Sequence, residues 1–223
     1  ATAEQRVHFN KHDFSEEAND SFFPALSMQS DSDSRVEISA RPEVNNMFAS
    51  PVTIRATIVM GDEGAGNFGR IFDKAPHICF YDDGNAAETE TKLRFQIGFS
   101  GNTGIWITDD NVIQRGVITE VEITYDGSDV ANDPIISING TPVAITESST
   151  PAGTINDDSS SALCIGNRPA TDRSLQGLMT NFSIEKSGED RVNYELCENN
   201  LNRASDRFEG AQPDTTYGNN RKK

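Results

Sequence analysis

The chain is poor in cysteine, histidine and tryptophan, and no long run of apolar residues occurs in it. Its 223 residues include three cysteines, three histidines and one tryptophan. With three histidines, a histidine-based metal site or a Ser-His-Asp triad has few residues to draw on. A membrane-spanning helix needs about 20 consecutive apolar residues, and no stretch approaches that length. The sequence therefore predicts no membrane span, and it argues against an enzyme.

The odd number of cysteines argues against a disulfide framework. Cys79 and Cys164 each lie in a strand-like apolar run, where a cysteine behaves as a small buried hydrophobe. We expect three free thiols rather than one disulfide with an unpaired third cysteine. Free thiols favour synthesis in a reducing cytoplasm.

Basic residues are also scarce, with 19 Lys and Arg against 35 Asp and Glu, so the formal net charge is −16. Direct binding of nucleic acid needs clustered basic side chains that face the phosphates. The composition therefore argues against a nucleic-acid ligand. It fits a soluble, self-repelling surface that has room for divalent-cation sites.

What the chain does contain is a series of short strands with period two. In the stretch 117–127 the residues Val117, Thr119, Val121, Ile123 and Tyr125 fall on one face of an extended chain. Charged and polar residues fall on the other face, which predicts a half-buried strand. Similar runs occur at 35–39, 51–60, 70–74, 77–81, 93–99, 104–108, 135–138, 143–145, 162–166 and 177–184. Asn139-Gly140 is a strong hairpin signal, and the regular spacing predicts an all-β antiparallel sandwich.

Four motifs in this order resemble the concanavalin-A-like, laminin-G-like jelly-roll family. They are Thr124-Tyr125-Asp126-Gly127, Ser137-Ile138-Asn139-Gly140, Leu163-Cys164-Ile165-Gly166 and the closing segment 175–184. The resemblance implies a two-sheet antiparallel jelly roll over residues 35–186. It implies little about function, because the fold hosts lectins, glucanases, lyases, adhesion modules and virion proteins.

The two ends of the chain are predicted to lie outside that domain. Residues 1–34 form an N-terminal arm in this interpretation. In 187–223, Val192, Leu196, Leu201, Ala204 and Phe208 recur at helical spacing, which predicts a short C-terminal helix followed by a polar tail. Neither end has the content to form its own core, so we expect protein neighbours in an assembly to hold them, and we expect an oligomer.

The resemblance implies one candidate cofactor, calcium, which such domains hold at a loop rim. Candidate ligands in two acidic loops are Asp82, Asp83, Asn85, Asp109 and Asp110. A third acidic loop is 156–158. Carboxylate and carbonyl oxygens suit a hard cation. The alternative is that Asp and Asn serve the turns themselves, in which case no cofactor binds.

A sugar site of this fold uses exposed aromatic side chains, and two candidates are Trp106 and Tyr81. If Ile105 and Ile107 point into the core, Trp106 points outward and is available for stacking. The alternative is that Trp106 is itself a core residue. Glu120 and Glu122 lack the further acids of the glucanase motif, so a solvated strand face is the favoured interpretation.

Three functions remain open. The first is a non-catalytic structural or decorating subunit of a larger assembly, with a virion surface, such as a capsid decoration or a tail, in view. The second is an extracellular carbohydrate-binding or adhesion module, calcium-dependent in one version, whose ligand is a cell-surface glycan. The third and least favoured is a glycoside hydrolase or lyase. The sequence favours the first.

Overall fold

The structure is a computed structural model that describes residues 25–28, 35–61, 64, 68–82, 90–109, 112–189 and 191–196. These residues form two antiparallel sheets, so the predicted jelly-roll sandwich is confirmed. The described part of the chain contains no helix that is long and apolar enough to cross a membrane. The strands are Leu26–Met28 (β1), Val36–Ile38 (β2), Val52–Met60 (β3), Arg70–Lys74 (β4), His77–Asp82 (β5), Glu90–Ile97 (β6), Gly104–Thr108 (β7), Ile113–Gln114 (β8), Ile118–Tyr125 (β9), Ile135–Ile138 (β10), Thr141–Pro142 (β11), Ile145–Ser149 (β12), Leu163–Ile165 (β13), Gly177–Lys186 (β14) and Val192–Glu195 (β15).

The first sheet has the order β1-β14-β3-β9-β10-β11, and β15 also pairs with β14. In strand β3 the residues are buried and half-buried in turn along all nine positions. This alternation is the reason that the segment forms a strand with one face in the core. The predicted strand 117–125 is β9, in which Thr119, Val121, Ile123 and Tyr125 are buried as expected. Val117 lies before the strand and is 45% exposed.

The second sheet has the order β12-β7-β6-β5-β4-β13-β2, with β8 paired to β6. The core between the sheets holds a cluster of aromatic rings. Phe48 contacts Phe72, Phe95 and Tyr125, and Trp106 contacts Phe95 and Tyr125, with centroids 5.5–6.4 Å apart. Both cysteines in the described residues, Cys79 and Cys164, are free and buried, as the sequence predicts. Cys197 lies outside those residues.

The turn at Asn139-Gly140 forms as expected, and both residues have positive φ, 49° and 76°. Positive φ at both central residues is the requirement of a tight hairpin turn. The return strand differs from the prediction. It is only the two-residue β11, and the chain then crosses to the other sheet, where β12 pairs with β7.

The predicted C-terminal helix is wrong at residues 192–195, which form β15. Tyr194 and Leu196 are buried and Val192 is half-buried, so the apolar side chains alternate with period two. The reason is a free edge on β14. Strand β1 pairs only with Gly177–Met179 of β14, and β15 pairs with the following Asn181–Ile184. The rest of the predicted helix and tail, like most of the predicted arm 1–34, lies outside the described residues.

Candidate functional site

Two connections between the sheets meet at one end of the sandwich. Residues 61–69 join β3 to β4, and residues 166–176 join β13 to β14. The backbone N–H of Gly61 donates to Gln176 O (2.9 Å), and that of Arg70 donates to Arg173 O (3.0 Å). A Cβ at Gly64 would stand 2.5 Å from Ser174 O, so the backbones approach too closely for a side chain there. The described residues of the two connections therefore form one packed edge.

The conformation of the 166–176 connection is fixed by hydrogen bonds within the loop. Asn167 is fully buried, and its Oδ1 accepts hydrogen bonds from the backbone N–H groups of Arg168 (2.9 Å) and Arg173 (3.0 Å). The N–H of Leu175 donates to Gly166 O (2.8 Å) and closes the base of the loop. One buried amide thus fixes the two positions from which the arginine side chains extend.

We call the resulting surface the arginine rim and define it by Phe68, Arg70, Arg168, Asp172 and Arg173. The guanidinium of Arg173 lies over the ring of Phe68, 5.2 Å from its centroid. Arg168 Nη2 donates to Asp172 Oδ2 (2.6 Å). Arg70 is buried, and its Nη1 donates to Phe68 O (3.3 Å). One guanidinium therefore covers the ring of Phe68, a second binds the backbone carbonyl of that residue, and the third is paired with Asp172.

Ion pairs stabilise the rim. Arg70 Nε lies 3.3 Å from Oδ2 of Asp73, and both side chains are buried. Burial lowers the pKa of Arg70, and the neighbouring Arg168 and Arg173 lower it further. The hydrogen bond from Arg168 holds the pKa of Asp172 at about 2. Among the described residues of this edge, three arginines against Asp73 and Asp172 give a charge of 3 − 2 = +1, on a chain whose net charge is −16.

This arrangement has the chemical groups that a carbohydrate site uses. Guanidinium forks donate paired hydrogen bonds to carboxylate, sulfate or vicinal hydroxyl oxygens. The exposed Asp172 carboxylate accepts hydrogen bonds from hydroxyl groups. An aromatic face packs against the C–H face of a sugar ring. Sequence reasoning missed these residues because Arg70 and Arg173 are about one hundred positions apart in the chain.

Two of the calcium candidates, Asp82 and Asp109, lie at the same end of the sandwich as the arginine rim. Asp82 ends β5, and Asp109, which is exposed, follows the last residue of β7. Strand β6 lies between them, so their backbones are about 10 Å apart. Asp83, Asn85 and Asp110 are outside the described residues. Within the described ranges, no group of three or more His, Cys, Asp or Glu side chains is placed to hold a metal ion.

The two aromatic candidates have different outcomes. Trp106 is fully buried, so the expectation of an outward indole is corrected: Ile105 and Ile107 are the half-exposed residues of β7. Its Nε1 donates to Asp133 Oδ1 (2.7 Å), which satisfies the indole N–H. A buried ring offers no face to a ligand. Tyr81 lies in β5, and its side chain is outside what the structure describes.

The third acidic loop, 156–158, places Asp158 in the interior at the opposite end of the sandwich. Its carboxylate Oδ1 lies 3.3 Å from Lys74 Nζ, and Oδ2 lies 3.6 Å from His77 Nε2. All three side chains are at most 1% exposed. The side chain of Lys74 therefore occupies the place of a metal ion at this loop, and burial closes the cluster to any substrate from solution.

Comparison with solved structures finds the same architecture elsewhere. The binding domain of Paraclostridial Mosquitocidal Protein 1 is similar over 82% of this chain and 42% of that chain, with 15% sequence identity and a TM-score of 0.50. This chain has a jelly-roll fold of two antiparallel sheets. Domains LG4-5 of the mouse laminin α1 chain align over 78% of this chain and 44% of that chain, with 12% identity and a TM-score of 0.46. The chain thus spans less than half of either matched chain. No protein-family model matches the sequence, and no curated protein is significantly similar to it.

Proposed function

We propose that this laminin-G-like domain is a non-catalytic recognition module whose arginine rim binds an acidic carbohydrate on a cell surface. The observation that carries the proposal is the convergence of Arg70, Arg168 and Arg173, one of which, Arg173, lies over the ring of Phe68. Arg168 and Arg173 repel the guanidinium of Arg70, which adds to the cost of burying it. A uronate or sulfate group on the ligand would relieve that repulsion.

The fold neighbour supports this class of function. The mosquitocidal protein's matched segment is named as a binding domain. Recognition modules of this kind act outside the cell that makes them, and we place this protein there too. Glu120 and Glu122, the two acids that could serve catalysis, do not form a carboxyl pair that is free to react. The Oε2 atom of Glu122 forms an ion pair with Arg55 Nε at 2.6 Å. That arrangement supports the non-catalytic part of the proposal.

The test is binding of the purified domain to an array that carries uronate-containing and sulfated oligosaccharides beside their neutral counterparts. We expect binding to the acidic members only. Losing one charge-assisted hydrogen bond costs about 1.5–3 kcal/mol, so Arg168→Gln and Arg173→Gln are each expected to weaken the affinity about tenfold or more. Repeating the array with a chelator tests whether calcium at the same end of the sandwich takes part.

The matched control is Arg191→Gln. Arg191 is exposed at the other end of the sandwich, where its Nη2 donates to Ser183 Oγ (3.0 Å). The Arg191→Gln substitution removes the same charge as Arg168→Gln or Arg173→Gln. If the ligand were held only by a general electrostatic attraction, all three variants would therefore lose the same affinity. Equal weakening, or preference for the neutral sugars, contradicts the proposal.

A second candidate, a structural subunit of an assembly such as a virion surface, is favoured by an apolar row on the outer face of the first sheet. Leu178 of β14, Val59 of β3 and Ile118 of β9 are direct cross-strand neighbours. Ile118 is 53% exposed, and the adjacent Val117 is 45% exposed. Contiguous exposed apolar side chains on a sheet face are typical of protein contacts.

Light scattering and native mass spectrometry test this second candidate. We expect a stoichiometric oligomer in the wild-type protein and its dissociation by Ile118→Lys, because a buried unpaired ammonium is costly in an interface. Thr146→Lys, on the exposed edge strand β12, places the same charge on the other sheet and should leave the oligomer intact. A monomeric wild-type protein at high concentration removes this candidate.

A further inference from the structure

The buried cluster of Lys74, Asp158 and His77 has a geometry that the proposed binding function does not use. Lys74 is the last residue of β4, His77 is the first residue of β5, and Asp158 lies in the loop before β13. The side chains of Lys74 and Asp158 are both 0% exposed. An amine and a carboxyl group are thus held against each other out of reach of bulk water.

We infer that Lys74 and Asp158 condense to an intramolecular isopeptide bond between Nζ and Cγ, with His77 as the proton relay. The amine is 3.3 Å from Oδ1 of the carboxyl group, so the two groups that would be joined are already in contact and need little movement to react. The chain fold itself supplies this proximity, because β13 pairs directly with β4.

Surrounding hydrogen bonds hold the two reacting groups in place. Lys74 Nζ donates to the backbone carbonyls of Asp158 (2.9 Å) and Ser161 (2.6 Å). The backbone N–H of Asn46 donates to Asp158 Oδ1, and the N–H of Asp158 donates to Asn46 Oδ1 (3.1 Å). Asp158 Oδ2 has no hydrogen-bond partner within the described protein atoms. One carboxyl oxygen is therefore anchored, and the other is the oxygen that leaves.

The surroundings also favour the uncharged forms that the reaction needs. Burial lowers the pKa of Lys74 and raises the pKa of Asp158, in each case against the attraction between the two groups. A neutral amine has the lone pair that attacks, and a protonated carboxyl group has the better leaving oxygen. Burial also lowers the pKa of His77 to about 4, so its ring is neutral.

The hydrogen bonds assign the position of the proton on His77. The backbone N–H of Gly98 donates to Nδ1 (3.3 Å), so Nδ1 is the acceptor and Nε2 carries the hydrogen. Nε2 faces Asp158 Oδ2 at 3.6 Å. His77 also hydrogen-bonds the backbone of Asn156, and a small shift of the ring toward Oδ2 would let it give a proton to the departing oxygen and recover one from the amine.

The step balances without an oxidant or a cofactor. The Nζ–Cγ bond forms, the Cγ–Oδ2 bond breaks, and the oxygen leaves as water. That water takes the carboxyl proton and one amine proton, the latter passed through His77. The product is a neutral secondary amide, which needs no counter-ion in the apolar interior. It ties together positions that are 84 residues apart.

The intact mass of the purified domain tests this inference. We expect a mass lower than the sequence mass by one water molecule, and a protease digest that contains a branched peptide joining the Lys74 and Asp158 fragments. Lys74→Met and Asp158→Ala are each expected to show their full calculated masses. The control Lys186→Met should keep the water deficit, because Lys186 Nζ binds Pro42 O and Glu189 elsewhere.

The digest separates this bond from other dehydrations. A succinimide at Asp126-Gly127 also removes one water, but it forms within a linear peptide and is opened by hydroxylamine. A wild-type mass equal to the sequence mass, both fresh and after prolonged incubation of the folded protein, overturns the inference. A water deficit that maps to a linear peptide overturns it as well. Both results are independent of whether the arginine rim binds carbohydrate.

Discussion

Replacing Trp106 with alanine is expected to lower the free energy of unfolding by about 3–5 kcal/mol, the usual cost of removing a large buried aromatic side chain. The indole is fully buried and packs against Phe95 and Tyr125, with centroids 6.0 and 5.5 Å away. Its removal leaves a cavity between the sheets and also removes the hydrogen bond to Asp133. Urea unfolding followed by far-ultraviolet circular dichroism measures the loss.

The neighbouring Ile105 provides the matched control. It lies on the opposite face of the same strand and is half-exposed, so Ile105→Ala is expected to cost less than about 2 kcal/mol. The pair of variants therefore measures which face of β7 is inside. Equal losses, or a larger loss for Ile105→Ala, would contradict the assignment of Trp106 to the core.

The second large effect is expected from Lys74→Met, which should lower the free energy of unfolding by about 3–5 kcal/mol. The substitution keeps the length of the side chain but leaves the Asp158 carboxyl group buried without its partner. The double variant Lys74→Met/Asp158→Leu removes both polar groups and should regain the part of that loss that comes from the unpaired carboxyl group. A double variant that is no more stable than Lys74→Met would show that the unpaired carboxyl group is not a cause of the loss.

The loss from Lys74→Met should also depend on pH. The ordinary pKa of this carboxyl is 3.8, and burial raises its value in the folded protein. A carboxyl whose folded pKa is raised contributes stability below its unfolded pKa and loses it as pH rises through the folded value. Without the amine, the variant should therefore be closer to wild type in acid than at neutral pH. A loss that grows as pH falls would contradict this assignment.

The sequence predicted the strands because the alternation of apolar and polar residues within a strand reflects which of its side chains are buried. The alternation in β3 and β9 is visible in the sequence, and both strands form where it predicts them. Period two does not say which of the two faces is inside when both are apolar. In β7 the residues Ile105, Trp106 and Ile107 offer an apolar choice on either face, and the structure selects Trp106.

The C-terminal prediction was wrong at 192–195 for a similar reason. Apolar residues at three- to five-residue spacing fit a helix, but the described part of that segment has Tyr194 and Leu196 buried two residues apart. A strand forms because β14 offers unpaired backbone groups along Asn181–Ile184. That edge is available because β1 ends early. The sequence of residues 192–195 gives no sign of where β1 ends.

The sequence alone determined that this chain is an acidic, antiparallel sandwich, because period-two alternation and turn residues are local properties. Only the tertiary structure decided which groups meet. It brings Arg70 to Arg168 and Arg173 at one end, and Lys74 to Asp158 at the other. Residues that meet across a sandwich come from strands far apart in the chain. Their proximity depends on the order in which the strands pair, and the local spacing of residues in the sequence does not reveal that order.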